Sequence, residues 1–157
     1  MRLYLARHGE AVPKTIDPES SLSTAGKDNI SWVANMLGAA GIKVSRVFHS
    51  GKKRALQTAA ILGHIIAPGM RPEVMEGLHP NDDTLGLFRR AQQWQEDVMV
   101  VGHLPYMARA VSRFLIGNEQ DMLVRFKPGS VVCLKRSSEG LWAITWALSK
   151  DITPAGQ

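Results

Sequence analysis

The sequence has little of several features that would assign it to a specialised class of protein. It contains one cysteine in 157 residues, which excludes an internal disulfide framework. Cys133 lies in a short apolar run, where we expect a small buried hydrophobe rather than a nucleophile. No apolar run is long enough to span a bilayer and no signal peptide precedes the first apolar segment, so we expect a cytoplasmic protein with no membrane partner.

Charge is moderately basic and evenly spread. The chain has 19 Lys and Arg against 14 Asp and Glu, a formal charge of +5, which suits an anionic ligand. Its basic groups at 52–54, 89–90 and 135–136 are short and lie on different segments, and aromatic residues make up only 6%. Because there is no basic tail and no interleaving of basic and aromatic residues, we expect no nucleic-acid partner.

The opening stretch combines a buried strand with reactive groups. Residues 3–6 form an apolar run without polar alternation, which is typical of a strand covered on both faces. Arg7, His8 and Gly9 follow: a bidentate cation, an imidazole able to act as a nucleophile, and a residue that permits a sharp turn or a close approach to a ligand. Taken alone, this short motif is equally compatible with an ion-paired Arg and a surface His.

Alternating strand and helix patterns continue along the chain. The loop 12–23 is expected to lie over the site, and Ser23 or Thr24 to start the first helix. The spacing of apolar and turn residues then predicts a strand at 44–49, a helix from about 52 to 66, a strand at 73–75, a helix at 84–95, a strand at 97–102, a helix at 105–116, and a hairpin of strands 131–135 and 142–148.

This order predicts an α/β protein of three layers, an α/β/α sandwich whose mixed sheet is mostly parallel and ends in a C-terminal hairpin. We expect one domain over 1–157, with a loose tail at 151–157.

Groups suited to phosphate occur at the ends of three predicted strands. Arg7 and His8 follow the first strand, Arg54 lies in the first helical turn after the second, and His103 follows the fourth. Because ligands of open α/β sheets bind beyond the carboxyl ends of parallel strands, we expect these groups to share one site. The helix N-terminus beside Arg54 would also favour an anion.

The motifs as a set resemble the histidine phosphatase superfamily, also called the phosphoglycerate mutase-like family. The residues that carry the resemblance span 1 to about 116 in the family's order: Arg7-His8-Gly9-Glu10, Ser50, Arg54-Ala55, Gln57-Thr58-Ala59 and Gly102-His103. The short loops and Gly102-His103-Leu104-Pro105 look most like its SixA-type phosphohistidine phosphatases. Gly51 departs from the family, which often has Pro there.

The resemblance implies a hydrolase that forms a covalent phosphohistidine on His8. It implies that Arg7, Arg54 and His103 surround the phosphoryl group and bind substrate together with Gly9 and Ser50. We expect a backbone carbonyl to hold the other ring nitrogen of His8, and bound phosphate to hold His103 as a cation. The resemblance implies no metal and no cofactor.

The general acid is left open. Glu76 is the positional candidate, whereas we expect Asp82 and Asp83 to cap a helix. A phosphohistidine substrate leaves as imidazole and needs a strong acid less than an ester does. Glu10 is expected either to touch substrate or to pair with a basic residue.

Three functions remain in competition. The leading hypothesis is a monomeric phosphatase acting on phosphohistidine in a protein, since a chain without large insertions leaves room for a protein loop. The second is a phosphatase of small phosphate esters such as sugar phosphates. The third is a non-catalytic module that binds phosphorylated proteins, against which the presence of His8 argues, because binding alone would need only the cations.

Overall fold

One six-stranded sheet with helices on both faces makes up the fold. The computed structural model describes residues 1–150, so the predicted tail at 151–157 lies outside the described residues. The elements in order are β1 (Arg2–Arg7), α1 (Thr24–Ala39), β2 (Arg46–His49), α2 (Lys53–Ile66), β3 (Glu73–Val74), α3 (Leu85–Gln93), β4 (Val98–Gly102), α4 (Tyr106–Ile116), β5 (Val131–Arg136) and β6 (Trp142–Leu148). The predicted three-layer α/β class is confirmed.

The strand order is β3-β2-β4-β1-β5-β6. The first four strands in this order are parallel, whereas β5 and β6 are antiparallel to their neighbours. The carboxyl ends of β1, β2 and β4 therefore meet at the same edge, at adjacent positions in the centre of the sheet.

Alternation along the strands divides the core into two clusters. In β1, Leu3 and Leu5 pack in the cluster that includes residues of α3 and α4, whereas Tyr4 and Ala6 pack in the cluster that includes residues of α1 and α2. Residues 3–6 are at most 1% exposed, as expected of a strand covered on both faces. Cys133 is fully buried, which agrees with its predicted role, and burial raises the pKa of its thiol.

Residues next to the helix ends correctly predicted the start of α1 and the end of α4. Ser23 caps α1, its hydroxyl accepting a hydrogen bond from the Gly26 N–H at 3.0 Å. Gly117 ends α4 in the left-handed conformation with φ of 77°. These two boundaries follow from residues that lie next to them in sequence.

β2, β3 and α3 are shorter in the structure than predicted. β2 begins at Arg46 rather than 44, and β3 has two exposed residues that pair only with β2. α3 ends at Gln93 rather than 95 because Trp94 takes an extended backbone with ψ of 136° and stacks its ring on Phe48, with centroids 5.6 Å apart. Within residues 1–150, no helix is long and apolar enough to cross a membrane.

A pair of helical glycines provides a test of the packing between α1 and β1. A Cβ on Gly26 would overlap the backbone of Glu10, which cannot move aside, whereas a Cβ on Gly86 in α3 meets nothing within 4 Å. We expect Gly26→Ala to lower the free energy of unfolding by about 2 kcal/mol or more. Gly86→Ala should raise it by up to about 1 kcal/mol, because alanine favours the helix.

Denaturant unfolding of the two variants beside wild type measures both changes. Equal stability of Gly26→Ala and Gly86→Ala would contradict the close approach of α1 to the chain after β1.

Candidate active site

The ends of β1, β2 and β4 bring the predicted residues together. The His8 N–H donates to the Gly102 carbonyl at 2.9 Å, which ties the chain leaving β1 to the end of β4. The rings of His8 and His103 lie with their centroids 5.0 Å apart. Arg54, in the first turn of α2, is close enough for its charge to lower the pKa of both imidazoles.

The tautomer of His8 is set by its own neighbour. His8 Nδ1 lies 2.7 Å from the Gly9 carbonyl oxygen, which can only accept, so Nδ1 carries the hydrogen. Nε2 then holds a lone pair in the neutral ring. The predicted backbone acceptor is present, and it leaves Nε2 as the nitrogen available for attack on phosphorus.

The environment keeps His8 neutral. Burial lowers the pKa of its imidazole to about 4, and the positive charges of Arg54 and Arg7 act in the same direction, whereas the hydrogen bond to Gly9 acts against them. The ring is therefore unprotonated at neutral pH, which is the form that a nucleophile requires.

His103 is held by a residue of β2's end. Its Nε2 lies 2.6 Å from the Ser50 hydroxyl, and the ring is only 1% exposed. Burial lowers the pKa of His103 to about 3, and the positive charges of Arg54 and Lys52 act in the same direction. His103 is thus neutral in the free protein, and its conversion to a cation by bound phosphate stays a prediction.

The guanidinium groups of Arg7 and Arg54 have no carboxylate partner among the described residues. Arg7 Nη1 donates to the Phe126 carbonyl at 2.8 Å, whereas Arg7 Nε is buried with no partner among the described residues. No ion pair formed within residues 1–150 includes Arg7 or Arg54. Burial lowers the pKa of both groups, and an anion is the complement that this charge lacks.

Gly9 serves the packing of the site. Its N–H donates to Thr58 Oγ1 at 3.0 Å, and Thr58 Oγ1 donates in turn to the Arg54 carbonyl at 2.8 Å. A Cβ at Gly9 would lie 2.8 Å from Ile30 Cγ1, so the close approach permitted here is to α1. Binding of substrate by Gly9 and Ser50 stays a prediction, since both already bond to neighbouring site residues.

The acidic candidates show no contact with the imidazoles among the described residues. Glu76 is exposed just after β3, and it lines surface grooves with Arg90. Glu10 forms no ion pair within residues 1–150. Its Oε1 accepts a hydrogen bond from the Ser23 hydroxyl at 2.9 Å. Glu76 as the general acid therefore stays a prediction without a contact to support it.

The two aspartates stabilise local structure. Asp83 Oδ1 accepts from the Leu85 N–H at 2.8 Å, so it bonds to the first residue of α3, although the N-cap position belongs to Thr84, whose side chain makes no capping bond. Asp82 Oδ2 instead accepts from the His79 N–H at 2.8 Å, which closes the loop after β3. Within residues 1–150, no group of three or more His, Cys, Asp or Glu is arranged to hold a metal ion.

Two residues and one turn near this site were not predicted from the sequence. Lys52, at the start of α2, brings positive charge near His103, and His79 lies near the same ring. The turn before β5 holds the backbone of His8, because the Gly129 N–H donates to the carbonyls of Arg7 at 3.2 Å and His8 at 3.1 Å. The Pro128-Gly129 signal predicted a turn, but nothing in it indicates what the turn contacts.

A known protein family matches the N-terminal part of the chain. The family profile described as histidine phosphatase superfamily (branch 1) matches residues 3–80. The chain belongs to the histidine phosphatase superfamily. The matched region of this family contains His8, Arg7 and Arg54, whereas His103 lies beyond it.

One curated relative and one solved structure, both of SixA, are similar over most of the chain. The phosphohistidine phosphatase SixA of Escherichia coli is 25% identical over 154 residues, covering 95% of this chain and 94% of that protein. A solved structure of the protein histidine phosphatase SixA complexed with tungstate matches with a TM-score of 0.84 at 24% identity, covering 95% and 97% of the two chains.

Relatives with other substrates share the fold. The structure of a phosphoserine phosphatase from Entamoeba histolytica in complex with 3-phosphoglyceric acid matches with a TM-score of 0.72 at 16% identity, covering 96% and 98% of the chains. The fold is therefore common to enzymes of protein and small-molecule phosphates, and does not itself select the substrate.

The low pKa of His8 gives a direct test of the site's electrostatics. In an NMR titration we expect the His8 ring resonances to move with a midpoint near pH 4. Arg54→Ala should raise that midpoint, because removal of a nearby positive charge favours the imidazolium ion. A wild-type midpoint at or above the ordinary histidine value of about 6.5 would contradict a neutral His8 imidazole.

Proposed function

We propose that this protein is a phosphatase that removes the phosphoryl group from phosphohistidine in a protein. His8 Nε2 attacks phosphorus and forms a P–N bond as the bond from phosphorus to the substrate nitrogen breaks, and the departing imidazole takes up a proton from solvent. Water then attacks the phosphohistidine, which releases inorganic phosphate and a proton and restores His8. No metal or cofactor takes part in this scheme, so turnover is expected to persist in a chelator.

The observation that carries the proposal is the pair of unpaired arginines around a neutral imidazole. Arg7 and Arg54 form no ion pair with a carboxylate of residues 1–150, although other arginines of the chain do. A phosphoryl group supplies negative oxygens that can accept from both guanidinium groups while phosphorus faces His8 Nε2. For phosphoryl transfer, such positioning and charge stabilisation are the main catalytic contribution of a protein.

We assign the remaining roles from their contacts. His103 would donate to the phosphoryl oxygens, with Ser50 holding its ring. A dianion at the site opposes the positive charges of Arg54 and Lys52 that lower the His103 pKa in the free protein, so binding should raise that pKa. Thr58 keeps the first turn of α2, which carries Arg54, against the backbone after His8.

Similarity to SixA along nearly the whole chain supports a phosphohistidine substrate. A small phosphate ester is the alternative, since the same fold occurs in a phosphoserine phosphatase bound to 3-phosphoglyceric acid. A non-catalytic binding module is the third possibility. The half-buried, neutral His8 argues against it, because binding alone would favour a cation there.

Turnover by matched variants tests the proposed chemistry. We expect His8→Ala to abolish single-turnover release of phosphate from a phosphohistidine-bearing protein, and Arg54→Ala to slow it by about 100-fold or more. Lys53→Ala is the control, because Lys53 neighbours Arg54 yet points to Glu19, with 3.0 Å between Nζ and Oε2. It should remain within about twofold of wild type.

A panel of sugar and nucleotide phosphates, run beside the phosphoprotein, separates the substrate classes. A loss below threefold in Arg54→Ala would count against the assignment of that residue. A wild type that binds the phosphoprotein without turning over any substrate would indicate the binding module.

The response to Glu76→Gln depends on the leaving group. With phosphohistidine we expect a change of less than about threefold in rate, because imidazole leaves with little assistance. With an ester, loss of a general acid should cost about tenfold or more. A tenfold loss with phosphohistidine would contradict our expectation and establish Glu76 as an acid despite its exposed position.

A further inference from the structure

A second buried polar atom without a partner lies beside Arg7. Ser130 is 5% exposed, and its Oγ has no hydrogen-bond partner within the described part of the chain. Arg7 Nε shares this condition. Because buried polar groups are nearly always hydrogen-bonded, two such atoms next to each other need an explanation.

The strand register places the two side chains next to each other. Ala6 of β1 pairs with Val131 of β5, so the residues opposite each other one step further are Arg7 and Ser130. The Arg7 N–H donates to the Ser130 carbonyl at 3.0 Å, which continues the ladder to this pair. Side chains of opposite residues leave the sheet on the same face, with Cβ atoms about 4.5–5.5 Å apart.

The hydrophobic core shows which face of the sheet the Arg7 and Ser130 side chains occupy. Leu5 and Val132, two residues before Arg7 and two after Ser130, both pack in the cluster that contains α4 residues. Alternation therefore puts the Arg7 and Ser130 side chains on this face as well. The contact of Arg7 Nη1 with the carbonyl of Phe126, a member of the same cluster, agrees with this placement.

The position of Ser130 is fixed by its surroundings. The Gly129 N–H is shared between the carbonyls of Arg7 and His8, and Asn29 Nδ2 donates to the Pro128 carbonyl at 3.3 Å. The Ser130 N–H donates to the Lys127 carbonyl at 3.0 Å. These hydrogen bonds fix the backbone before β5, so the Ser130 hydroxyl lies on the same side of the sheet as the Arg7 side chain.

We propose that Ser130 is a further phosphoryl-binding residue, whose hydroxyl donates to the same phosphoryl group that accepts from Arg7 Nε. A tetrahedral anion presents oxygens to both donors at once, which satisfies the two buried atoms together. This inference rests on the proposed function, because it requires the phosphoryl group to lie against Arg7. Ser130 would add a hydroxyl donor to the arginine and histidine side chains that are proposed to contact the phosphoryl group.

Calorimetric titration with tungstate tests the inference without depending on any substrate. Ser130→Ala should weaken tungstate binding about tenfold, the loss of a hydrogen bond to a charged group. Ser130→Thr and Ser130→Val form a matched pair, since both side chains are β-branched and suited to a strand but only Thr keeps a hydroxyl. We expect Thr to bind within about threefold of wild type and Val to lose as much as Ala.

The outcomes distinguish this inference from the proposed function. Wild-type affinity in Ser130→Ala, with binding still weakened in Arg54→Ala, would overturn the role of Ser130 and leave the phosphoryl site intact. Equal losses in Thr and Val would show that shape rather than the hydroxyl matters, and would overturn it too. Failure of the wild type to bind tungstate would overturn both proposals. Thermal unfolding of each variant verifies that the fold is retained.

Discussion

Uncompensated positive charge at the carboxyl edge of the sheet is the constraint on which the site depends. Arg7 and Arg54 flank His8 without a carboxylate partner in residues 1–150, and burial together with their fields keeps the His8 imidazole neutral. A cluster of this kind is stable only if its members do not all carry charge. The arginines keep their positive charge, whereas the two imidazoles stay neutral. The result is an imidazole with a free lone pair inside an environment suited to an anion.

The fold maintains this arrangement mainly with backbone contacts. His8 is tied to β4 through its N–H, to Gly9 through its ring, and to the turn before β5 through its carbonyl. The absence of side chains at Gly9 and Gly26 allows α1 to approach the chain that leaves β1. The reactive atoms therefore depend on strand register and close packing more than on bonds between side chains.

Sequence reasoning recovered what local pattern determines. The α/β order, the cap at Ser23, the stop at Gly117 and the arrival of Arg7, His8 and His103 at strand ends are all signalled by adjacent residues and by the topology of parallel strands. The resemblance to the family added the roles expected of these residues, which the turnover of variants has yet to test.

Contacts between distant residues could not be predicted in the same way. The engagement of Glu10 by Ser23, of Ser50 by His103 and of Gly9 by Thr58 depends on how α1, α2 and the strands pack, and no local pattern records it. The early end of α3 has the same origin, because Trp94 leaves the helix to stack on Phe48 of β2. The opposition of Ser130 to Arg7 follows only from the register of β1 and β5.

The most direct measurement is the capture of the covalent intermediate. Wild-type protein mixed with a radiolabelled phosphohistidine protein and quenched in alkali within milliseconds should carry label that is stable to base and released by acid, and peptide mapping should place it on His8. The His8→Ala variant should carry none. Label on another residue, or phosphate release at wild-type rate by His8→Ala, would contradict the account.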